Sequence, residues 1–540
     1  MKVAKVGLRA LLLAGVMAAA LPAVGAAEEL SFKVTAYKQA VAEHVGQNES
    51  IAAFYRARGF EPIWTGPSEE DRARRVALLE AFAMADVHGL PTRLYNEHTL
   101  RAQLAAATSG RDRGLLEVEL SKLFISFAND LQTGVLDDPG AVVSDIKREV
   151  PRRAPEELLS RLTTERPDAV FRSLVPPTAE YSRLMRAKLM LEQRIRHGGW
   201  GPIVQASSLE PGQSGPDVVA LRNRLVAMNY LKPSLTTRYD ENMTAAVRAV
   251  QEDHGLEVDG VAGASTMKAI NAAPEERLKS IMVAMERERW LNFPEGRGKR
   301  HVLVNLVDFH AQIIDDDKVT FETRSVIGQN QSTHRTPEFS DMMEHMVINP
   351  FWYVPRSIIV NEYLPLLRSN PGAAGHLEII DGRGRVVSRG QSFAQYSSRS
   401  FPYSMRQRPG PRNALGTVKF MFPNKYNIYL HDTPSQSLFS REVRTFSHGC
   451  VRLNDPHDFA YVLLSRQEQD PVNFFQSILR SGQNTKVPLA EPIPVHLVYR
   501  TAFTQAKGNV NFRDDVYGRD EILWRALQNE GVSLMTHWDS

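Results

Sequence analysis

The sequence predicts a multidomain α+β protein with a helical N-terminal scaffold, a small three-helix unit and a β-rich C-terminal part carrying an insertion. Three observations predict it. Apolar residues recur at helical spacing through 28–200. A compact run of helix starts and glycine stops fills 209–271. From about residue 300 the apolar residues gather into short β-branched runs separated by turns. A chain of 540 residues accommodates roughly two to four such units.

The N-terminus reads as an export signal. Lys2, Lys5 and Arg9 precede the short apolar run 10–21, Pro22 breaks that run, and Val24-Gly25-Ala26 supplies small residues for cleavage. The apolar run falls short of the ~20 residues a spanning helix needs. The expected signal is 1–26, and the expected location is the periplasm. Without those residues the basic and acidic side chains are equal in number, which removes a whole-chain electrostatic case for nucleic acid.

Between 28 and 200, Leu116, Leu120, Leu123, Phe127 and Leu131 mark one helical stripe, and 180–196 forms a second amphipathic stretch. Prolines at 91, 139, 151, 176 and 177 separate the pieces. His44, His88 and His98 lack metal-ligand spacing, so the region reads as scaffold. In 209–271, Asp217 is expected to cap a helix buried through Val218, Leu221, Leu225 and Met228. A second helix runs from about Glu241 to a stop at Gly255, and the turn Asp259–Gly263 leads into a third.

Residues 301–307 and 318–327 read as strands joined by the acidic turn Asp315–Asp317, with further strands at 346–349, 376–381, 416–422 and 426–431. The mixed segment 361–415 reads as an insertion able to cover a site. The β-rich unit is expected over 300–500, with 501–540 as a C-terminal extension.

The chemistry concentrates in 424–453. A strand ends at His431, and Ser447-His448-Gly449-Cys450-Val451-Arg452 follows a loop. Cys450 is the only cysteine in the chain, so it cannot form an internal disulfide, and a lone thiol in an oxidising compartment asks for a reason. A thiolate is a strong nucleophile near neutral pH, and a neighbouring histidine is expected to lower its pKa. Gly449 permits close backbone approach, and amides around Gly449 and Cys450 are candidate oxyanion donors. His431 is favoured over His448 as base, because a base needs both reach and a third group fixing its ring.

These motifs carry two resemblances. The Gly212-x-x-Gly215-x-Asp217-Val218-x-x-Leu221 opening, the Ala246–Gln251 core and the His254–Gly263 close resemble a type 1 peptidoglycan-binding domain. His431-Asp432-Thr433 with Ser447–Arg452, supported by Asn349–Pro355 and Arg408–Gly416, resembles the L,D-transpeptidase (YkuD-type) catalytic domain. Phe54-Tyr55-Arg56 and Pro62-Ile63-Trp64 extend the likeness to the large periplasmic Gram-negative members. The resemblance implies Cys450 as nucleophile, His431 as general base or acid, Asp432 orienting His431, and His448 and Gly449 shaping the oxyanion site. It implies substrate contacts from Arg452, Ser447, Tyr429, Trp352 and Asn413, and a capping role for 361–415. It also implies a tetrapeptide stem as donor, diaminopimelate as acceptor, 3-3 cross-links, and no metal or organic cofactor. Transfer to water, transfer to an outer-membrane protein, and a non-catalytic wall-binding role remain the alternatives at this stage.

Overall fold

The computed structural model describes residues 35–534 other than 47 and 507, so the expected signal 1–26 lies outside the described residues. The helical region follows the expected stripes. The helix Gly110–Thr133 opens on a capping box between Ser109 and Asp112, and Ala179–Arg196 is capped by Thr178. At its centre the buried Glu117 carboxylate accepts the backbone N–H groups of Ile63 (2.7 Å) and Thr65 (2.8 Å) and the Tyr55 hydroxyl (2.8 Å). This explains the Tyr55 and Ile63-Trp64 motifs as structural: one carboxylate satisfies a loop that has no secondary-structure partners.

The same core takes in two elements from far along the chain. Leu278, Met282, Val283 and Trp290 of the helix Pro274–Trp290 join it, as do Leu523, Trp524 and Leu527 of the helix Arg519–Asn529. The expected extension is therefore part of the packed body. Its hairpin, Ala502–Thr504 against Val510–Phe512, also packs beside the helix Pro274–Trp290.

The three-helix unit comprises Pro216–Ala227, Glu241–His254 and Ala264–Asn271 around its own core. Gly255 stops the second helix at φ +66°, a left-handed position glycine occupies without penalty. Asp217 lies inside the first turn instead of capping it. Gly215 is the cap and Pro216 the first helical residue, so Asp217 adds favourable charge at the helix N-terminus.

The β-rich unit comprises β1 (Arg300–Asn305), β2 (His310–Asp315), β3 (Lys318–Gly328), β4 (Phe339–Ile348), β5 (Trp352–Tyr353), β6 (Glu378–Ile380), β7 (Ser404–Gln407), β8 (Val418–Met421), β9 (Leu430–His431), β10 (Thr445–Ser447), β11 (Val451–Leu453) and β12 (Thr485–Val498). Their order in the main sheet is β10-β3-β11-β9-β8-β4-β12-β1-β2, and β3 also pairs with β2, so the ladder returns on itself. β2 was not expected. It precedes the acidic turn, which joins β2 to β3 with Asp316 and Asp317 at positive φ. The insertion begins earlier than 361: β5, β7 and β6 form a separate three-stranded sheet, and Val354, Ile358, Leu364, Leu377, Phe393 and Met405 give it its own core.

Candidate active site

β9 and β11 pair in parallel, with Leu430 opposite Val451 and His431 opposite Arg452. β8 pairs antiparallel to β9, with Lys419 opposite His431. Alternation along these strands puts Lys419, Tyr429, His431, Cys450 and Arg452 on one side of the sheet. Tyr429 touches its neighbours in three ways. Its ring lies 5.6 Å from that of His431, the Lys419 ammonium sits 5.5 Å over it, and its donor groups act on the Cys450 thiol to lower its pKa.

His431 is buried, and its Nδ1 faces the backbone carbonyl of Asp432. A carbonyl only accepts, so Nδ1 carries the proton and Nε2 keeps the lone pair a base requires. Burial, followed by the charge of Arg452, pushes the imidazole pKa down to about 3, so the ring is neutral at pH 7. The Asp432 side chain does a different job. Oδ2 accepts from Thr417 N–H (2.8 Å) and Thr417 Oγ1 (2.7 Å), and Thr417 Oγ1 also lies 2.7 Å from His457 Nε2. Gly416, at φ +59°, packs directly on this carboxylate, and a Cβ there would stand 2.3 Å from Asp432 Cγ.

Cys450 is half-buried, and Sγ donates to the Asn427 carbonyl at 3.5 Å. Burial pushes the thiol up to about 11, against the lowering pull of the Tyr429 donors, Arg452 and Lys419. The sequence expectation of a thiol activated below its ordinary value is thus corrected: at rest the thiol is neutral, because desolvation outweighs the surrounding positive charge.

The catalytic turn is stapled internally. Gly449 N–H donates to Ser447 Oγ (3.1 Å), Ser447 Oγ donates to Cys450 O (2.5 Å), and Thr336 Oγ1 donates to Gly449 O (2.7 Å). The Gly449 amide is therefore spent, and Ser447 shapes the turn from a buried position instead of facing a substrate. Cys450 N–H has no acceptor among the described residues and remains the candidate oxyanion donor. His448 turns away from this face. Its Nε2 lies 3.0 Å from Glu362 Oε1, and its ring stands edge-on to His334.

Two expected substrate contacts are placed elsewhere. Asn413 is 1% exposed, and its amide donates to Pro350 O (3.1 Å) and Arg408 O (2.9 Å). It ties together the two ends of the insertion. Trp352 packs on the insertion's own core. Lys419 was missed by sequence reasoning. Its signal was the alternation Val418-Lys419-Phe420, which places one cation on the solvent side of a buried strand, next to the His431 strand.

Comparison with known proteins gives three family matches. Residues 299–474 match the "L,D-transpeptidase catalytic domain", 214–270 a "Putative peptidoglycan binding domain", and 49–187 a "Scaffold domain". A curated relative from Haemophilus influenzae, described as "Putative L,D-transpeptidase", is 33% identical over 231 residues, which are 41% of this chain and 46% of that relative. The chain thus spans just under half of that relative's length. Solved L,D-transpeptidases from Xylanimonas cellulosilytica and Stackebrandtia nassauensis share 15% and 14% identity. Both cover 55% of this chain, and they cover 98% and 97% of their own, with TM-scores of 0.17 and 0.21.

Proposed function

We propose, from the premise that this chain carries an L,D-transpeptidase catalytic domain and a peptidoglycan-binding domain, that it forms 3-3 peptidoglycan cross-links through a thioester on Cys450. The observation that carries the reading is the neutral, buried His431, held by its Nδ1 on the Asp432 carbonyl with Nε2 available, on the same face as the single thiol.

The chemistry follows from the resting state. Thiol and imidazole are both neutral, so proton transfer accompanies attack. Cys450 Sγ leaves the Asn427 carbonyl and bonds to the carbonyl carbon of the third residue of a tetrapeptide stem, while its proton passes to His431 Nε2. Negative charge grows on the substrate oxygen and meets the Cys450 N–H. Positive charge from Lys419 and Arg452 faces the reacting sulfur. The C–N bond to the terminal D-Ala then breaks, and His431 returns the proton to the departing amine. A diaminopimelate side-chain amine attacks the thioester, its proton passes to His431, and the thiol is restored as the new amide forms. The three-helix unit, with its match to a peptidoglycan-binding domain, would hold the enzyme on its polymeric substrate.

The test is mass spectrometry of muropeptides after incubating purified protein with disaccharide-tetrapeptides. The reading expects 3-3 dimers with release of D-Ala, absent with Cys450→Ala. Tripeptide as the sole product would move the acceptor to water. Product formation that survives Cys450→Ala would overturn the mechanism.

A further inference from the structure

Beside the catalytic turn three side chains from three separate segments converge, and the mechanism above uses none of them. His334 comes from the loop after β3, Glu362 from the π-helical turn Ile359–Tyr363 of the insertion, and His448 from the turn leading to Cys450. One potential ligand atom from each lies within 4.8 Å of the others. His448 Nε2 is 3.0 Å from Glu362 Oε1, and the two imidazole rings meet at 4.4 Å and 71°. His334 Nδ1 is buried with no hydrogen-bond partner among the described residues, a costly state for a ring nitrogen. The nearby Arg335 guanidinium is directed elsewhere, toward Asp145 at 3.4 Å and over the Tyr517 ring, so it does not fill the cluster with its own charge.

Two imidazoles and one carboxylate are a donor set for borderline divalent transition metals. Calcium and magnesium call instead for six or more oxygen ligands. We propose that His334, Glu362 and His448 bind one Zn²⁺-class divalent ion that latches the insertion to the catalytic turn. Tetrahedral Zn²⁺, with bonds of about 2.0–2.1 Å, holds its ligands about 3.4 Å apart. The Glu362–His448 pair, at 3.0 Å, stands slightly inside that spacing, and all three ligand atoms lie within 4.8 Å of one another, so binding needs only small side-chain shifts. A π-turn is a common way to aim one helical side chain at a site, and Glu362 lies on one. The ion converts the His448–Glu362 contact between the insertion and the catalytic turn, two residues from the nucleophile, into a fixed three-point joint. It thereby sets how readily the insertion swings clear for a peptide strand. The expectation of no metal came from the family resemblance, and these ligands are brought together only by the fold.

The test uses the full mature chain carrying Cys450→Ala, so that the thiol cannot bind metal. Equilibrium dialysis against micromolar Zn²⁺, with metal analysis of the retained protein, should find one ion per chain and no comparable retention of Ca²⁺. Glu362→Gln and His334→Ala in the same background should each weaken retention tenfold or more, the scale on which even supporting groups act. His334 is part-buried and Glu362 exposed, and circular dichroism identifies any variant that has not folded. A second readout is amide exchange of 356–369, which Zn²⁺ should slow in the Cys450→Ala parent and leave unchanged in Glu362→Gln. Retention that is equal in parent and both variants, absence of retention in the parent, or exchange unaffected by Zn²⁺ in the parent would each overturn the proposal.

Discussion

Replacing Gly416 by alanine tests whether the support behind His431 matters as much as the catalytic pair. Gly416 has φ +59°, where an L residue costs about 1–2 kcal/mol. Its Cβ would stand 2.3 Å from Asp432 Cγ and Oδ2 and 2.5 Å from Asp432 Cβ. No rotamer change relieves the last contact, because it is between two atoms fixed by backbone, so the 431–433 segment must move. Such overpacking costs about 1–3 kcal/mol. Losing the charged hydrogen bonds from Thr417 to Asp432 adds about 1.5–3 kcal/mol. The local loss is then about 4–8 kcal/mol before relaxation. The same shift displaces the Asp432 carbonyl that fixes the His431 tautomer, and a misplacement of this size costs roughly 100-fold in rate. Two measurements check this: amide exchange at Thr417, and the rate at which Cys450 is acylated by a disaccharide-tetrapeptide, followed by intact mass. The expected result is rapid exchange at Thr417 and slow acylation, still confined to Cys450. A variant with native protection at Thr417 and native acylation would show that the Asp432 cradle has no bearing on the base.

Three further outcomes are expected. His431→Ala should slow acylation at least about 100-fold and His448→Ala far less, since only His431 lies on the thiol's face; equal losses measured across pH would reverse the assignment. Because Cys450 is pushed up to about 11, its alkylation by iodoacetamide in chelator should keep rising through pH 9–10, and Lys419→Met should slow it further; a rate that levels off below pH 7 contradicts the neutral resting thiol. His254, His431 and His496 are each held at about 3 by burial, against about 6.5 unfolded, so the unfolded chain binds more protons and their contribution is present above pH 6.5 and lost as pH falls toward 3. At pH 5 each should cost about 2 kcal/mol, read as a lower denaturant midpoint than at pH 7; an unchanged midpoint would contradict the buried neutral rings.

What the sequence made legible was local. Helix stripes, the Gly255 stop and the His431–Cys450 pair all declare themselves within some twenty residues. What stayed hidden depends on pairing across distance. Lys419 acquires meaning only when β8 is set against β9, and Asn413 reads as a motif residue until Pro350 and Arg408 are seen on either side of its amide. β2 was overlooked because its alternation, with Ala311 and Ile313 inward between His310 and Gln312, lasts only four residues before Ile314-Asp315 breaks it. All four residues of the run Glu286-Arg287-Glu288-Arg289 are buried, because Glu286 pairs with Arg289 while Arg287 and Glu288 meet counter-charges from Glu338, Asp520, Arg297 and Arg500.

That charged run bears on how such a protein is inherited and handled. Arg287 reaches Glu338 of the segment leading into β4 and Asp520 of the last helix, Arg519 meets the same Glu338 at 3.0 Å, and Glu288 is held by Arg297 and Arg500. A gene fragment cut at 299–500 would keep every reacting group but strand Glu338 and Arg500 in a low-dielectric surface without Arg287, Arg519 or Glu288. Breaking buried pairs in this way costs about 3–5 kcal/mol for each charge left alone. Exchange of the catalytic unit between relatives therefore has to carry the 274–298 segment and the C-terminal helix with it. The boundaries visible to sequence comparison are not the seams along which this chain can be cut.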